Sequence, residues 1–415
     1  MLSDDALDKL ILPIAQRQEN INNYIIGLIA KRIREFGEVN ASDIQKIRRL
    51  MYIGGDMMKI EDALAEATHR NAEEIKSILY TAAEDLYHES KVFFEYRGLP
   101  FIPFEQNQSL QALVKAISNE TAQSYINLSN TTGFVVRVNG AKQALSIRDT
   151  YIKIIDEAVQ AVGSGVTDYS SEIRHSLREL VNSGVRSFGY DDNPNSAQYG
   201  RTFVTYAPES GRRYTKRLDS AVRQNILDGV RAINQQLQDE VGRQFGSDGK
   251  EISVHRFPAP DHAPIQGHTF YNEEYEKLQN AEDFQDVDGR KFEGIERAIG
   301  MWNCRHFSFS VIVGVEPPNY TQKELDEILK KNDDGFDWNG KHYTMYECTQ
   351  LQRKYELNIR RAKDAYIAAE IAGDSKLMRD YENSVNSYMG EYRAFSNACG
   401  LSVKLKNIYV DGYRP

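Results

Sequence analysis

Leu218, Val222, Ile226, Val230, Ile233, Leu237 and Val241 follow one another at intervals of three or four residues, with no proline among them. An α-helix turns once in about 3.6 residues, so this spacing places all seven side chains on one stripe. A chain carrying such stripes must bury long helices, and the pattern recurs along most of the sequence. It appears at Leu7, Leu10, Ile11 and Ile14, and at Ile21, Tyr24, Ile25, Leu28, Ile29 and Ile33. It returns at Ile173, Leu177, Leu180, Val181 and Val185, and at Leu377, Tyr381, Val385, Tyr388, Tyr392 and Phe395. The stripe over 215–245 approaches a heptad seam. Its expected use is internal core rather than a partner-binding face.

Breaks in the pattern divide the remainder. After Gly37–Asn40, Ser42 and Asp43 mark the start of a short helix reaching Met51, and Gly54-Gly55 ends it. Further helices are predicted over 56–67, 72–95, 109–128, 142–163 and 169–184, with Asn130–Gly133 as a turn or cap. Residues 187–213 show no period and read as an irregular connection with a short hairpin near Arg201–Tyr206. Glu251–His255 and Phe307–Val313 read as strands, Thr321 as the start of a short helix, and Phe336–His342 as a turn flanked by aromatic residues. Two helices joined at Gly373-Asp374 form a C-terminal hairpin, since glycine suits C′ and aspartate the next N-cap. Ser402–Val410 alternates and is predicted as a closing strand. The expected class is α+β and predominantly helical. Residues 1–123 form a helical N-terminal region, 124–247 a helical middle region, and 248–415 an α+β domain with the hairpin and strand.

Composition narrows the function classes. There are 51 Lys and Arg against 60 Asp and Glu, a net charge of −9, which is the wrong sign for a protein that coats nucleic acid. Three cysteines exclude a disulfide scaffold. Met1–Ile14 contains Asp4, Asp5 and Asp8 and reads as neither a signal nor a transit peptide. The apolar run Tyr24–Ala30 is far short of a membrane span. Synthesis in the cytoplasm is expected, with no membrane span. Tyrosine, at 24 residues against 17 Phe and 2 Trp, suits interfaces of mixed polarity and hints at an assembly component.

Four constellations bear on chemistry. His255, His262, His268, Cys304 and His306 are the residue types zinc prefers, but their spacing is no finger motif. If they lie on a strand, Cys304 and His306 share a face. The reading these residues favour is a set of hydrogen-bonded histidines in a loop-rich domain. No metal or cofactor is expected, and His255, His262, Cys304 and His306 are the candidates should one bind. Cys304 as a nucleophile, with a histidine base and Asp261 as orienter, has the residue types but no nucleophile elbow. No phosphate-binding glycine loop is present. Two local basic runs contain Arg212, Arg213, Lys216 and Arg217, and Arg353, Arg360 and Arg361. They are solvated helix faces in the first instance and DNA or partner contacts in the second.

Several segments occur in an order that carries a resemblance. They include Asn127-Leu128 through Gly133-Phe134, Gly163-Ser164-Gly165, and Gly211-Arg212-Arg213 ahead of Ala221-Val222-Arg223. Ile252-Ser253-Val254-His255 and Pro264-Ile265-Gln266-Gly267-His268-Thr269-Phe270 follow. Asn303-Cys304-Arg305-His306 is the sharpest, and Thr349-Gln350 with Gln352-Arg353, then Ala372-Gly373-Asp374, close the series. From about Asn127 onward the chain resembles the phage minor capsid protein 2 family, which is similar to the head-morphogenesis proteins of Mu-like phages. Two departures, a longer loop over 187–209 and a more β-branched segment after His306, bear on loop geometry. The resemblance implies a low-copy structural protein of a tailed-phage or prophage head, located in the virion, without catalytic activity. Its implied partners are the portal protein and capsid proteins, with packaged DNA a further candidate, and its implied role is in head assembly or DNA packaging and ejection. Asn303, Cys304, Arg305, His306, Gln266 and Gly267 stand as a structural motif, with Arg305 the expected anchor. The alternatives are a DNA-binding head component and a metal- or Cys/His-dependent enzyme delivered with the head.

Overall fold

The computed structural model describes residues 4–37, 55–96, 98–130, 132–164, 169–188, 216–295, 297–300, 304–315 and 317–415. The expected short helix over 42–51, the hairpin near 201–206, and Asn303, Arg212 and Arg213 lie outside these residues. Helices dominate, as the apolar periodicity requires. They are α1 (Asp4–Gly37), α2 (Gly55–Glu89), α3 (Lys91–Tyr96), α4 (Gln108–Asn130), α5 (Ile147–Gly163), α6 (Tyr169–Ser183), α7 (Leu218–Phe245), α8 (Asn272–Gln279), α9 (Gln322–Asp334), α10 (Met345–Ala372) and α11 (Ser375–Ala398). The fold is a predominantly helical α+β arrangement with small antiparallel sheets. No helix among the described residues is long and apolar enough to cross a membrane.

Two compact units are each assembled from segments distant in sequence. One holds Met1–Ile11, Glu73–Gln123 and Gln224–Leu351; the other holds Leu12–Ala72, Ser124–Arg223 and Gln352–Pro415. The division falls within α1, α2, α4, α7 and α10. The seven stripe residues of α7 are all buried, none above 4% exposed, so the heptad-like seam belongs to the chain's own core.

The first unit carries the three-stranded sheet. Its strands are β5 (Gly249–Ile252), β6 (Thr269–Tyr271) and β9 (Ser308–Val311), in the order β6-β5-β9 and all antiparallel. The central strand β5 is buried throughout and pairs Ile252 with Ser308 and Glu251 with Thr269. Ile252, Ile265, Phe270, Tyr275, Leu278, Phe284 and Ile299 pack beside it as one apolar cluster. Two hairpins, β7 (Phe284–Gln285) with β8 (Lys291–Phe292) and β10 (Phe336–Trp338) with β11 (Lys341–Tyr343), complete its strands among the described residues. The helix predicted to begin near Thr321 is α9, and Thr321 caps it in a capping box with Glu324.

The second unit contains a sheet in the order β2-β1-β3-β4, formed by β1 (Thr132–Val138), β2 (Ala141–Ser146), β3 (Arg186–Ser187) and β4 (Lys216–Arg217). This sheet corrects the sequence reading, which placed a turn at 130–133 and a helix from 142. Asn139 and Gly140 both have positive φ, 51° and 82°, and close a two-residue hairpin with Val138 opposite Ala141. Phe134 and Val136 point into the core from β1. The helices predicted over 56–67 and 72–95 are also corrected. Ala67–Ala72 contains no proline or glycine, and α2 runs unbroken to Glu89.

The α10–α11 hairpin forms as predicted. Gly373 has a φ of 68°, and the Asp374 carboxylate accepts the N–H groups of Lys376 and Leu377. Leu377, Val385, Tyr392 and Phe395 are buried. The closing strand is not present. Leu405–Ile408 is a short 3₁₀ turn instead, because its polar groups are taken by the hairpin. Lys404 N–H donates to Tyr392 Oη at 2.8 Å, Asn407 Nδ2 donates to Glu356 at 3.0 Å, and Lys363 Nζ donates to the Ile408 carbonyl at 2.7 Å.

A buried ionic network lies at the centre of this unit. Arg217 is 7% exposed and pairs with Asp219 at 3.4 Å and Asp364 at 3.3 Å. Arg360 reaches Asp219 at 3.3 Å and Glu19 at 3.9 Å. Burial alone would weaken the Arg217 cation, but Asp219 and Asp364 outweigh it and hold its pKa above the ordinary value. Burial also disfavours ionised Asp219, yet Arg217 and Arg360 win and its pKa is lowered. Glu19 goes the other way. Burial, reinforced by the charge of Asp364, pushes it up to about 8. Burial raises Asp364 as well, so Glu19 and Asp364 both favour a proton while Arg217 and Arg360 hold Asp219 ionised.

Two outcomes follow for stability. Arg217→Met leaves Asp219 and Asp364 short of a buried cation and is expected to cost about 3–5 kcal/mol in urea unfolding. For Glu19 the folded pKa is raised, so the folded state holds a proton that the unfolded chain releases. Its contribution is complete below the ordinary glutamate pKa and is lost as pH rises through about 8. Glu19→Gln keeps the protonated shape and is expected to gain on the parent protein as pH is raised from about 5 to about 8. A urea-midpoint difference constant across that range would show that Glu19 is ionised in the fold.

Candidate functional site

His262, Cys304 and His306 are brought together in the first unit, 0%, 2% and 4% exposed. Their approach follows from the way two loops are tied to β5. Ile252 N–H donates to the His268 carbonyl and Gly267 N–H donates to the Ile252 carbonyl, closing the segment after β5. Gly267 has a φ of 74°, and a Cβ there would meet Leu325 at 2.5 Å and Val254 at 2.9 Å, so only glycine makes this turn. Within the loop, His262 N–H and Ala263 N–H both donate to the Ala259 carbonyl, a helical turn that directs His262 inward. On the other side, Ser253 and Phe307 exchange bonds at 2.8 and 2.9 Å and anchor the residues that precede β9. Cys304 and His306 lie in that irregular lead-in rather than in the strand.

The polar atoms converge on sulfur. Cys304 Sγ is 3.3 Å from His262 Nδ1 and 3.6 Å from His306 Nδ1, and the three atoms lie within 4.8 Å of one another. Sγ also accepts the backbone N–H of His306 at 3.3 Å. The far nitrogens are held as well: His262 Nε2 bonds to the Arg297 carbonyl at 2.7 Å and His306 Nε2 to Gln266 Oε1 at 3.3 Å. Gln266 Oε1 accepts the His255 N–H at 2.8 Å, which fixes that oxygen toward the cluster. The His255 ring stands edge-on to His306 with centroids 4.5 Å apart, and the rings of His262 and His306 are separated by 5.2 Å.

Electrostatics polarise the pair that lies closest. Burial raises the Cys304 thiol, but the hydrogen bond and charge of His262 outweigh it and its pKa falls below the usual value. Burial lowers His262, but its bond to Cys304 brings a net rise. His306 is pushed down to about 2 by burial and by His255 and His262, and stays neutral.

Of the five residues grouped from sequence, His268 does not join this set. Its Nδ1 pairs with Asp286 Oδ2 at 2.8 Å, and its ring packs on Phe270 and Phe292. Asp261 is not the orienter of a histidine base. Its carboxylate is held by Arg297 at 2.6 and 2.8 Å and lies 3.9 Å from His262 Nε2, where the Arg297 carbonyl is bonded instead. A backbone carbonyl has no signature in sequence, so this contact was not legible. Arg305 is half-buried. Among the basic residues, Arg217 and Arg360 are drawn into the buried network, Lys216 and Arg361 are half-buried, and Arg353 is exposed. A second group, Glu84, His88 and Glu105, is largely exposed and has no sulfur.

The chain matches the family described as Phage minor capsid protein 2 over residues 2–397, and it belongs to that family. The match extends the likeness seen from Asn127 onward through the N-terminal helices. No curated protein and no solved structure matches it. The family implies a place in the virion.

Nucleophilic chemistry at Cys304 would need substrate access, and a 2% exposed residue offers none in this conformation. All three cysteines are buried. A thiol reagent is therefore expected to label the native protein very slowly and the urea-unfolded chain at all three positions. Rapid native labelling at Cys304, located by peptide mapping, would reopen the nucleophile reading.

Proposed function

We propose that this chain is a low-copy head protein that contacts the portal and assists head assembly or the passage of DNA. The observation that carries this reading is the extent of the family match. It runs over residues 2–397 and takes in segments of both compact units. Three features support a structural role. The stripe of α7 is spent on the chain's own core, the Cys/His cluster is closed to substrate, and Arg217 and Arg360 are paired with internal carboxylates. With a net charge of −9 and Arg217 internal, any contact with packaged DNA is local.

Particles purified from the producing strain test this directly. Peptide mass spectrometry is expected to find the chain in mature heads at a copy number far below that of the major capsid protein. Cross-linking is expected to join it to the portal protein. Its absence from mature particles would overturn the reading and leave an assembly factor or an intracellular enzyme.

A further inference from the structure

The hydrogen-bond pattern around Cys304 contains a proton deficit. A backbone carbonyl only accepts, so His262 Nε2, bonded to the Arg297 carbonyl, carries a hydrogen. Gln266 Oε1 likewise only accepts and already takes the His255 N–H, so His306 Nε2 carries a hydrogen too. In the neutral rings both Nδ1 atoms are then bare lone pairs, and both face the same sulfur. A thiol has one proton and can satisfy only one of them. Moving it to His262 leaves the His306 lone pair against a thiolate. In a site this buried, an unmatched polar contact is costly. One cation placed among the three atoms satisfies them all.

We propose that His262 Nδ1, Cys304 Sγ and His306 Nδ1 bind a structural zinc ion, and that His255, whose ring stands 4.5 Å from His306 but outside the converging set, turns in as the fourth ligand. Bonds of about 2.3 Å to sulfur and 2.0–2.1 Å to nitrogen, spread tetrahedrally, place S and N about 3.6 Å apart. The two contacts here are 3.3 and 3.6 Å. The same geometry separates ligating imidazole centroids by about 5 Å, and those of His262 and His306 are 5.2 Å apart. One thiolate with imidazoles is a donor set that suits zinc rather than calcium or magnesium. The second shell is in place at His262 and His306, because each of these rings donates its far N–H to a carbonyl oxygen. The 0–4% exposure of the three residues marks a closed, structural site. Its effect is to clip the loop after β5 to the lead-in of β9, across a stretch with little regular structure of its own.

The test uses the full chain, purified without a polyhistidine tag. Elemental analysis is expected to return about one zinc per chain that survives dialysis. Replacement by cobalt(II) is expected to produce the visible bands of a tetrahedral ion and a near-ultraviolet thiolate charge-transfer band. Cys304→Ser should abolish that band. The band separates this site from Glu84, His88 and Glu105, which offer no sulfur. Gln266→Leu removes the acceptor behind His306 and is expected to weaken zinc binding about 10–100-fold. His255→Ala should weaken it as well, and unchanged affinity there would overturn the fourth-ligand assignment. Should Cys304→Ser fail to fold, the cobalt spectrum of the unaltered protein still decides. Substoichiometric zinc, together with no charge-transfer band after reconstitution, would overturn the proposal. Neither result depends on whether the chain is found in particles.

Discussion

An ionisable group taken out of water must be matched, and both units are organised around groups that have been taken out. In one, Arg217 is enclosed with Asp219 and Asp364, and Arg360 with Asp219 and Glu19. In the other, Cys304 is enclosed with two histidines. The helices supply the apolar surroundings that make these groups costly to leave unmatched. The matching then restricts which helices and loops assemble, since α1, β4, α7 and α10 each contribute one or two members of the ionic set.

The two centres meet the constraint differently. The ionic set holds Asp219 ionised between Arg217 and Arg360, while burial favours protons on Glu19 and Asp364. The Cys/His set has hydrogen-bond acceptors in excess. Its surroundings, the Arg297 carbonyl and Gln266 Oε1, turn both imidazoles so that their bare nitrogens face inward.

Legibility followed the range of the interactions. The α10–α11 hairpin was readable because its apolar stripe, Gly373 and Asp374 act over a few residues of their own segment. Thr321 and Glu324 cap α9 for the same reason. The β1–β2 hairpin carried a local signal too, Asn139-Gly140 after Phe134–Val138, but the helical period beyond Lys142 masked it. Ser402–Val410 alternates like a strand, yet among the described residues no sheet edge receives it, and Tyr392, Glu356 and Lys363 take its polar groups. In the site, residue types were legible and partnerships were not. His268 and His262 look alike in sequence, but Asp286 claims one and Cys304 the other.

By itself, the sequence determined the helical class, the stripe of α7 as core, the start of a helix at Thr321, the cap at Asp374, and the resemblance that the family match confirms. These rest on period and on neighbours within one or two turns, where geometry follows from chain order. Only the tertiary structure decided that Arg217 is a buried partner of Asp364, 147 residues away, rather than part of a surface patch. It alone decided that His262 meets Cys304 across 42 residues while Asp261 turns to Arg297. Those choices depend on how much water each group loses when distant segments close, and chain order carries no measure of that.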